Sequence, residues 1–131
     1  MDTRNIYCSL LAGSYFVQLE GKTWADARQH CVDNDAHLME VRTQEEYDRA
    51  LGIWDEVGNF WLGGNDIEEE GVWVWNSNGE VIDMSRFWLA GRPYAGETGR
   101  NCLMMASDTG FEDYNCAASS YSYVCEYQVF T

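Results

Sequence analysis

Five cysteines in a chain of 131 residues constrain this sequence more than any other feature. Cys31 and Cys125 stand almost at opposite ends, Cys102 and Cys116 bracket a short segment, and an odd count leaves one cysteine, Cys8, over. Spacing alone permits several connectivities. Disulfides persist outside the reducing cytosol, and neither a CxxC spacing nor a cysteine–histidine cluster suggests zinc, so an extracellular, secreted protein is expected. Nothing has the basic start, apolar run and cleavage site of a signal peptide, and no stretch reaches membrane-spanning length. A mature form without its leader fits that expectation.

At this length one compact domain with one core is expected, over 1–131 with its core at about 15–127 and an N-terminal segment 1–14 carrying Cys8. The apolar fraction of 46% is enough to bury such a core. A formal charge of −14 excludes a nucleic-acid partner, which needs a basic field to neutralise phosphate, and it disfavours anionic membranes.

Tyr15 to Leu19, bounded by Gly13-Ser14 and Gly21, reads as a strand. Thr23 is an N-cap for a helix carrying Trp24, Ala27 and Cys31 on one side, with Asp26 three residues on. Thr43-Gln44-Glu45-Glu46 is a capping box for a second helix whose face is Tyr47, Ala50, Leu51 and Trp54, and Gly58 stops it. Short strands follow at Phe60–Gly63, Val72–Trp75, Cys102–Met105 and Tyr121–Cys125, with a turn at Asn78-Gly79. Two early helices and a late run of strands make an α+β domain. Ser77 to Asn101 lacks regular pattern, and a loop that long in a small domain is usually functional.

These residues resemble the C-type lectin-like domains over about Tyr15 to Tyr127. The resemblance rests on the two helices, Trp61-Leu62-Gly63-Gly64, Trp73 and Trp75, Gly91-Arg92-Pro93-Tyr94, Asn101-Cys102, and Cys116 to Cys125. It implies a fold of two helices and short antiparallel sheets, stapled by Cys31–Cys125 and Cys102–Cys116, with Arg92–Pro93 in cis. Cys8 then lies outside the bridges. An intermolecular disulfide there would make a dimer whose avidity gains about 10² to 10⁴ on repeated glycans; a free or capped thiol and a local pairing are the alternatives.

Members of that family that bind sugar through calcium use a Glu or Gln, a Pro and an Asn or Asp in the long loop, a second acid before the third cysteine, and an Asn-Asp pair in the next strand. The matching positions here read Arg92-Pro93-Tyr94, Arg100 and Glu112-Asp113, and only Asp113 is unchanged. Calcium wants anionic oxygens, and guanidinium has none to give. A like charge at 4 Å opposes the ion by about 4 kcal/mol at an effective dielectric of ~20, so no calcium, and no other cofactor, is expected at the sugar site. A second family calcium position keeps Asp66 and Glu70 but loses its other acids, to Ala95, Arg100 and Asn101. An acidic solvated loop is the simpler reading there, with a weak calcium as the alternative.

Without the metal, guanidinium donors and carboxylate acceptors can orient sugar hydroxyls directly. The expected sugar-binding set is Arg92, Tyr94, Glu97, Arg100, Asn101, Glu112, Asp113 and Tyr114, with Tyr94, Phe111 and Tyr114 offering flat faces to a pyranose ring. An N-acetyl group suits such a pocket, so GlcNAc- or GalNAc-bearing glycans are the expected partners and agglutination or innate recognition the expected role. Alternatively, Arg92 and Arg100 only pair with Glu97, Glu112 or Asp113 to hold the loop. A further alternative is a lectin-like module that binds protein or mineral surfaces. No enzyme is expected: motifs for nucleophilic, phosphate or zinc chemistry are missing, and His30 and His37 read as packing around the first helix.

Overall fold

The computed structural model describes residues 5–10, 13–94 and 99–127, with backbone alone for 5–10, 13 and 14. In chain order it has strands β1 (Asn5–Leu10) and β2 (Gly13–Gln18), helix α1 (Trp24–Asp33), β3 (Ala36–Leu38), helix α2 (Gln44–Val57), β4 (Phe60–Asn65), β5 (Val74–Trp75), β6 (Cys102–Ser107), β7 (Gly110–Tyr114) and β8 (Ser122–Tyr127). This is the expected α+β architecture. The strands run in the order β1-β2-β8-β4-β6-β7, with β3 attached to β8 and β5 to β4.

Both helices begin where their caps direct. Thr23 accepts from the Asp26 N–H at 3.3 Å, while Thr43 and Glu46 satisfy one another's backbone amides reciprocally. Gly58 ends α2, its N–H bonded to Trp54 O. The buried stripe of α2 is Tyr47, Ala50 and Ile53, so Ile53 takes the core place expected for Leu51 and Trp54. Those two are half-buried at the helix margin, where Trp54 Nε1 donates to Asn59 Oδ1 at 3.0 Å.

Alternation along the strands sorts side chains onto two faces. Val17, Phe60, Leu62, Leu103, Met105 and Val124 join the α2 side, with Trp73, Trp75 and Phe111. Phe16, Trp61, Cys102, Met104, Tyr123 and Cys125 join the α1 side, with Trp24, Ala27 and Cys31. At Gly64 a Cβ would come within 2.5 Å of Leu103 Cδ2 and 2.9 Å of Ile82 Cδ1, so a side chain there would have to displace both from the core. Two disulfides, Cys31–Cys125 and Cys102–Cys116, close as the resemblance implies.

Several expected boundaries move. The Val72–Trp75 strand is only Val74–Trp75, because Gly71 at φ 86° and the Val72 N–H on Glu69 O make a turn first. The last strand begins at Ser122 and runs to Tyr127. His37 lies on β3, which packs against α1, opposite Glu126 in the β3–β8 register. His30 is on α1 with its Nδ1 against the Tyr123 hydroxyl. The Asn78-Gly79 turn is present, Gly79 at φ 74° and Glu80 N–H bonded to Asn78 Oδ1.

The Cys31–Cys125 bridge spans a sequence separation of 94 residues and both sulfurs are buried. Replacing both by alanine should lower stability by about 3–5 kcal/mol, read as a shift of the urea midpoint at constant slope. A loss below about 1 kcal/mol would mean the sheet holds its ends together without the staple.

Candidate functional site

The long connection between β5 and β6 is anchored before it reaches the expected site. Gly110, at φ 143°, opens β7 so closely under Phe87 that a Cβ would meet Phe87 O at 2.3 Å. Phe111 N–H then donates to Phe87 O and accepts through its carbonyl from Leu89 N–H, making a parallel bridge with Trp88. The loop is thus stitched to β7 just below Glu112 and Asp113. Phe111 is itself fully buried, packed against Tyr47, Trp75, Phe87 and Trp88. It cannot offer a face to a ligand, and its expected part in the site is corrected to core.

Beyond Leu89 the chain turns through Gly91, and the Arg92–Pro93 peptide is cis. Arg92 Nη1 donates to both Asp113 O and Asp113 Oδ1 at 3.0 Å, and Nη2 lies 2.7 Å from Glu112 Oε1. Adjacent strand residues point to opposite faces, yet one guanidinium spans both carboxylates. The other Asp113 oxygen accepts from Tyr94 N–H at 3.1 Å. Asp113 is 1% exposed with both oxygens engaged, so it holds Arg92 and the Tyr94 backbone in place. Burial opposes the Arg92 charge, and the bonds to Asp113 and the field of Glu112 outweigh it, raising its pKa.

Tyr94 is 43% exposed and lies over Arg92, with the guanidinium carbon 3.8 Å from the ring centroid. Arg100 approaches the same ring at 5.1 Å and the Tyr114 ring at 5.9 Å, and its Nη1 is 3.5 Å from Asp113 O. Tyr114 is half-buried, edge-on to Trp61, and its hydroxyl accepts from Tyr121. Arg92, Tyr94, Arg100, Glu112, Asp113 and Tyr114 therefore form one cluster. Asn101 precedes β6, where its carbonyl accepts from Asp66 N–H at 3.0 Å. Glu97 lies outside the described residues.

Asp66 is 2% exposed. Its Oδ2 accepts from Gly71 N–H at 2.9 Å, and burial, followed by the neighbouring Glu70 carboxyl, raises its pKa from 3.8 to about 6. Asp66 Oδ1 and Asn101 Oδ1 are both enclosed without a hydrogen-bond donor among the described residues. The sequence marked Asp66 and Glu70 but gave no sign that Asp66 is enclosed while Glu70 stays exposed, because the contact with Asn101 that helps cover Asp66 comes from a distant segment. Among the described residues no group of three or more His, Cys, Asp or Glu could hold a metal ion.

Residues 20–127 match the family described as Lectin C-type domain. C-type lectin domain family 4 member A of Homo sapiens is 28% identical over 123 residues, covering 90% of this chain and 51% of that protein. The chain thus spans about half the length of that relative. C-type lectin mosGCTL-7 of Aedes aegypti is 25% identical over 127 residues, covering 88% of this chain and 83% of that protein. The carbohydrate-recognition domain of the mouse scavenger receptor C-type lectin superposes with a TM-score of 0.83 at 22% identity, covering 100% of both chains. A calcium-independent type II antifreeze protein superposes with a TM-score of 0.77 at 25% identity, covering 96% of this chain and 97% of its own. The family is one of binding proteins, not enzymes, and among the described residues no helix is long and apolar enough to cross a membrane. With 20–127 matched and the fold shared, the chain belongs to the Lectin C-type domain family.

Proposed function

We propose that this protein is a calcium-independent lectin of the extracellular space that recognises N-acetylated saccharides such as GlcNAc or GalNAc. The observation that carries this reading is the exposed Tyr94 ring lying on a guanidinium that Asp113 and Glu112 hold. Tyr94 and Tyr114 provide apolar faces for the sugar ring and the acetamido methyl; Arg100 provides donors for the amide carbonyl and hydroxyls; Glu112 supplies the carboxylate acceptor; Asn101, its Oδ1 enclosed beside Asp66, supports the loop from behind. Arg92 and Asp113 position this surface.

The donor set does not fit calcium. An ion of that kind takes about six to eight oxygens. Asp113 has none left over, and Arg92 places its positive charge against both carboxylates. At the other family position, Asp66, Glu70 and the Asn101 amide also fall short of that number, and the raised Asp66 pKa fits a proton shared with Glu70. A weak calcium at Asp66 and Glu70 is the competing occupant. Cys8, on β1, stands outside both bridges, and a disulfide to a second copy would supply the bivalency that weak sugar contacts need.

One observation favours a second reading, a module for protein or mineral surfaces. Arg92 and Asp113 spend their hydrogen bonds on each other, which leaves Tyr94 as the main exposed group.

On a glycan array in chelator, binding should persist and should favour sugars with an acetamido group. Tyr94→Ala and Arg100→Gln should each weaken it about tenfold, the worth of one stacking or charge-assisted contact. Equal signals for acetylated and plain sugars, or recovery only with calcium, would reject the reading; no glycan signal at all, with a protein ligand lost in Tyr94→Ala, would establish the second.

Asp66 gives a pH test. Its folded pKa lies above its unfolded value of 3.8, so the protonated folded state is favoured below that value and the benefit is lost as pH rises through about 6. Asp66→Asn keeps an acceptor for Gly71 N–H and a donor toward Glu70. It should exceed the parent in stability by roughly 1–3 kcal/mol at pH 8 and match it below about pH 4. Urea unfolding of both proteins at the two pH values checks this; a gap that ignores pH would exclude the shared proton.

A further inference from the structure

A second concave site lies away from the Arg92 cluster and shares no residue with it. It is a cleft of about 500 Å³ between α1, β3 and the turn after β5, lined by Arg28, Val32, Asp35, Ala36, His37, Asn76 and Ser77. That volume suits a small ligand of monosaccharide size or somewhat larger.

The wall of this cleft is built rather than incidental. Glu40, 1% exposed, accepts from Ser77 N–H at 2.9 Å and from Ser77 Oγ at 2.7 Å, and it is paired with Arg42 at 2.9 Å. Asn76 N–H is bonded to Gly63 O, which fixes the turn to β4. Across the cleft, His37 is held by its Nδ1 against Leu38 O at 2.8 Å, leaving Nε2 as its second polar atom.

Arg28 is the distinctive group. Arg42 and Arg92 each face two carboxylates. Arg28 instead donates from Nε to a neutral amide oxygen, Asn76 Oδ1, at 3.1 Å, and no carboxylate lies within ion-pair distance of it among the described residues. In a chain with 22 acids and 8 bases, a guanidinium oriented by a neutral partner beside a cleft keeps its charge and its terminal N–H pairs for something else. Two parallel N–H donors match a carboxylate. The remaining lining mixes acceptors, Asp35 and His37, with the Asn76 side-chain amide as donor, and Val32 adds a 43% exposed apolar patch. Such a lining suits a body rich in hydroxyls with one C–H face.

We propose that this cleft is a second binding site, for an acidic saccharide whose carboxylate pairs with Arg28. A uronate ring is the simplest such ligand: its carboxylate meets the guanidinium, its hydroxyls meet Asn76, His37 and Asp35, and its C–H face rests on Val32.

The test is a ¹H–¹⁵N titration of the full chain with glucuronate and, separately, with glucose and an acetylated dipeptide. Glucuronate should shift the amides of His37, Asn76 and Ser77 in a saturable way, and glucose should bind about tenfold or more weakly, since one charge-assisted contact is missing. Arg28→Gln should lose the same factor. Asp35→Asn should tighten glucuronate binding, because it removes the facing negative charge; Asp35 sits at φ 58°, a conformation asparagine adopts readily, so this variant keeps the fold. Tyr94→Ala should leave the titration unchanged, which separates this site from the loop site. Equal shifts with glucose, no saturation, or an unchanged affinity in Arg28→Gln would overturn the proposal, as would a preference for the dipeptide over glucuronate.

Discussion

Strand β8 is the constraint on which the rest of the structure depends. It pairs antiparallel with β2 along one side, and with β4 in parallel and β3 antiparallel along the other. Its Cys125 also ties it to α1. Every one of these partners comes from the first half of the chain, so the sheet cannot be completed locally. From β8 the order passes through β4 and β6 to β7, and β7 carries Glu112 and Asp113. The position of the candidate sugar site is therefore inherited, strand by strand, from a pairing at the C-terminal end of the chain.

At the far edge of that sheet the decisive physics is electrostatic. Asp113 is almost wholly enclosed, and an ionised carboxylate there needs compensation. Arg92 and the Tyr94 backbone provide it, and in doing so they fix a loop that has no regular hydrogen-bond ladder of its own. The same contact places the Tyr94 ring against a cation and leaves it half open to solvent. A rigid aromatic face beside charged donors is a reasonable foundation for a shallow binding surface, because little conformational freedom is lost when a ligand arrives. Arg28, in the cleft beside α1, shows the contrasting solution: a guanidinium oriented by an amide and not neutralised.

Much of this was legible from local chemistry. The caps at Thr23 and Thr43, the stop at Gly58 and the turn at Asn78-Gly79 are each decided within four residues. The misses share one cause, that burial is set by distant partners. Phe111 looks like a surface aromatic beside two acids until Phe87, Trp75 and Tyr47 close over it. β3 has three residues, too few for alternation to register, and exists because β8 offers it an edge. Ile53 replaces Leu51 and Trp54 in the core because the side of α2 that is covered, unlike its period, is set by the residues that pack on it.

The sequence alone determined the helix ends, the class of the fold and the residue types gathered around the long loop, since these follow from short-range hydrogen bonding, side-chain periodicity and charge. It also set Arg92 and Arg100 within reach of the acids Glu112 and Asp113 as residue types, without their geometry. Only the tertiary structure decided that Asp113 is enclosed, that one guanidinium bridges both of the strand's carboxylates, and that Arg28 meets Asn76 across 48 residues of chain. Those outcomes depend on which groups lose water and which partners stand within hydrogen-bond reach, and neither quantity exists until distant segments have packed.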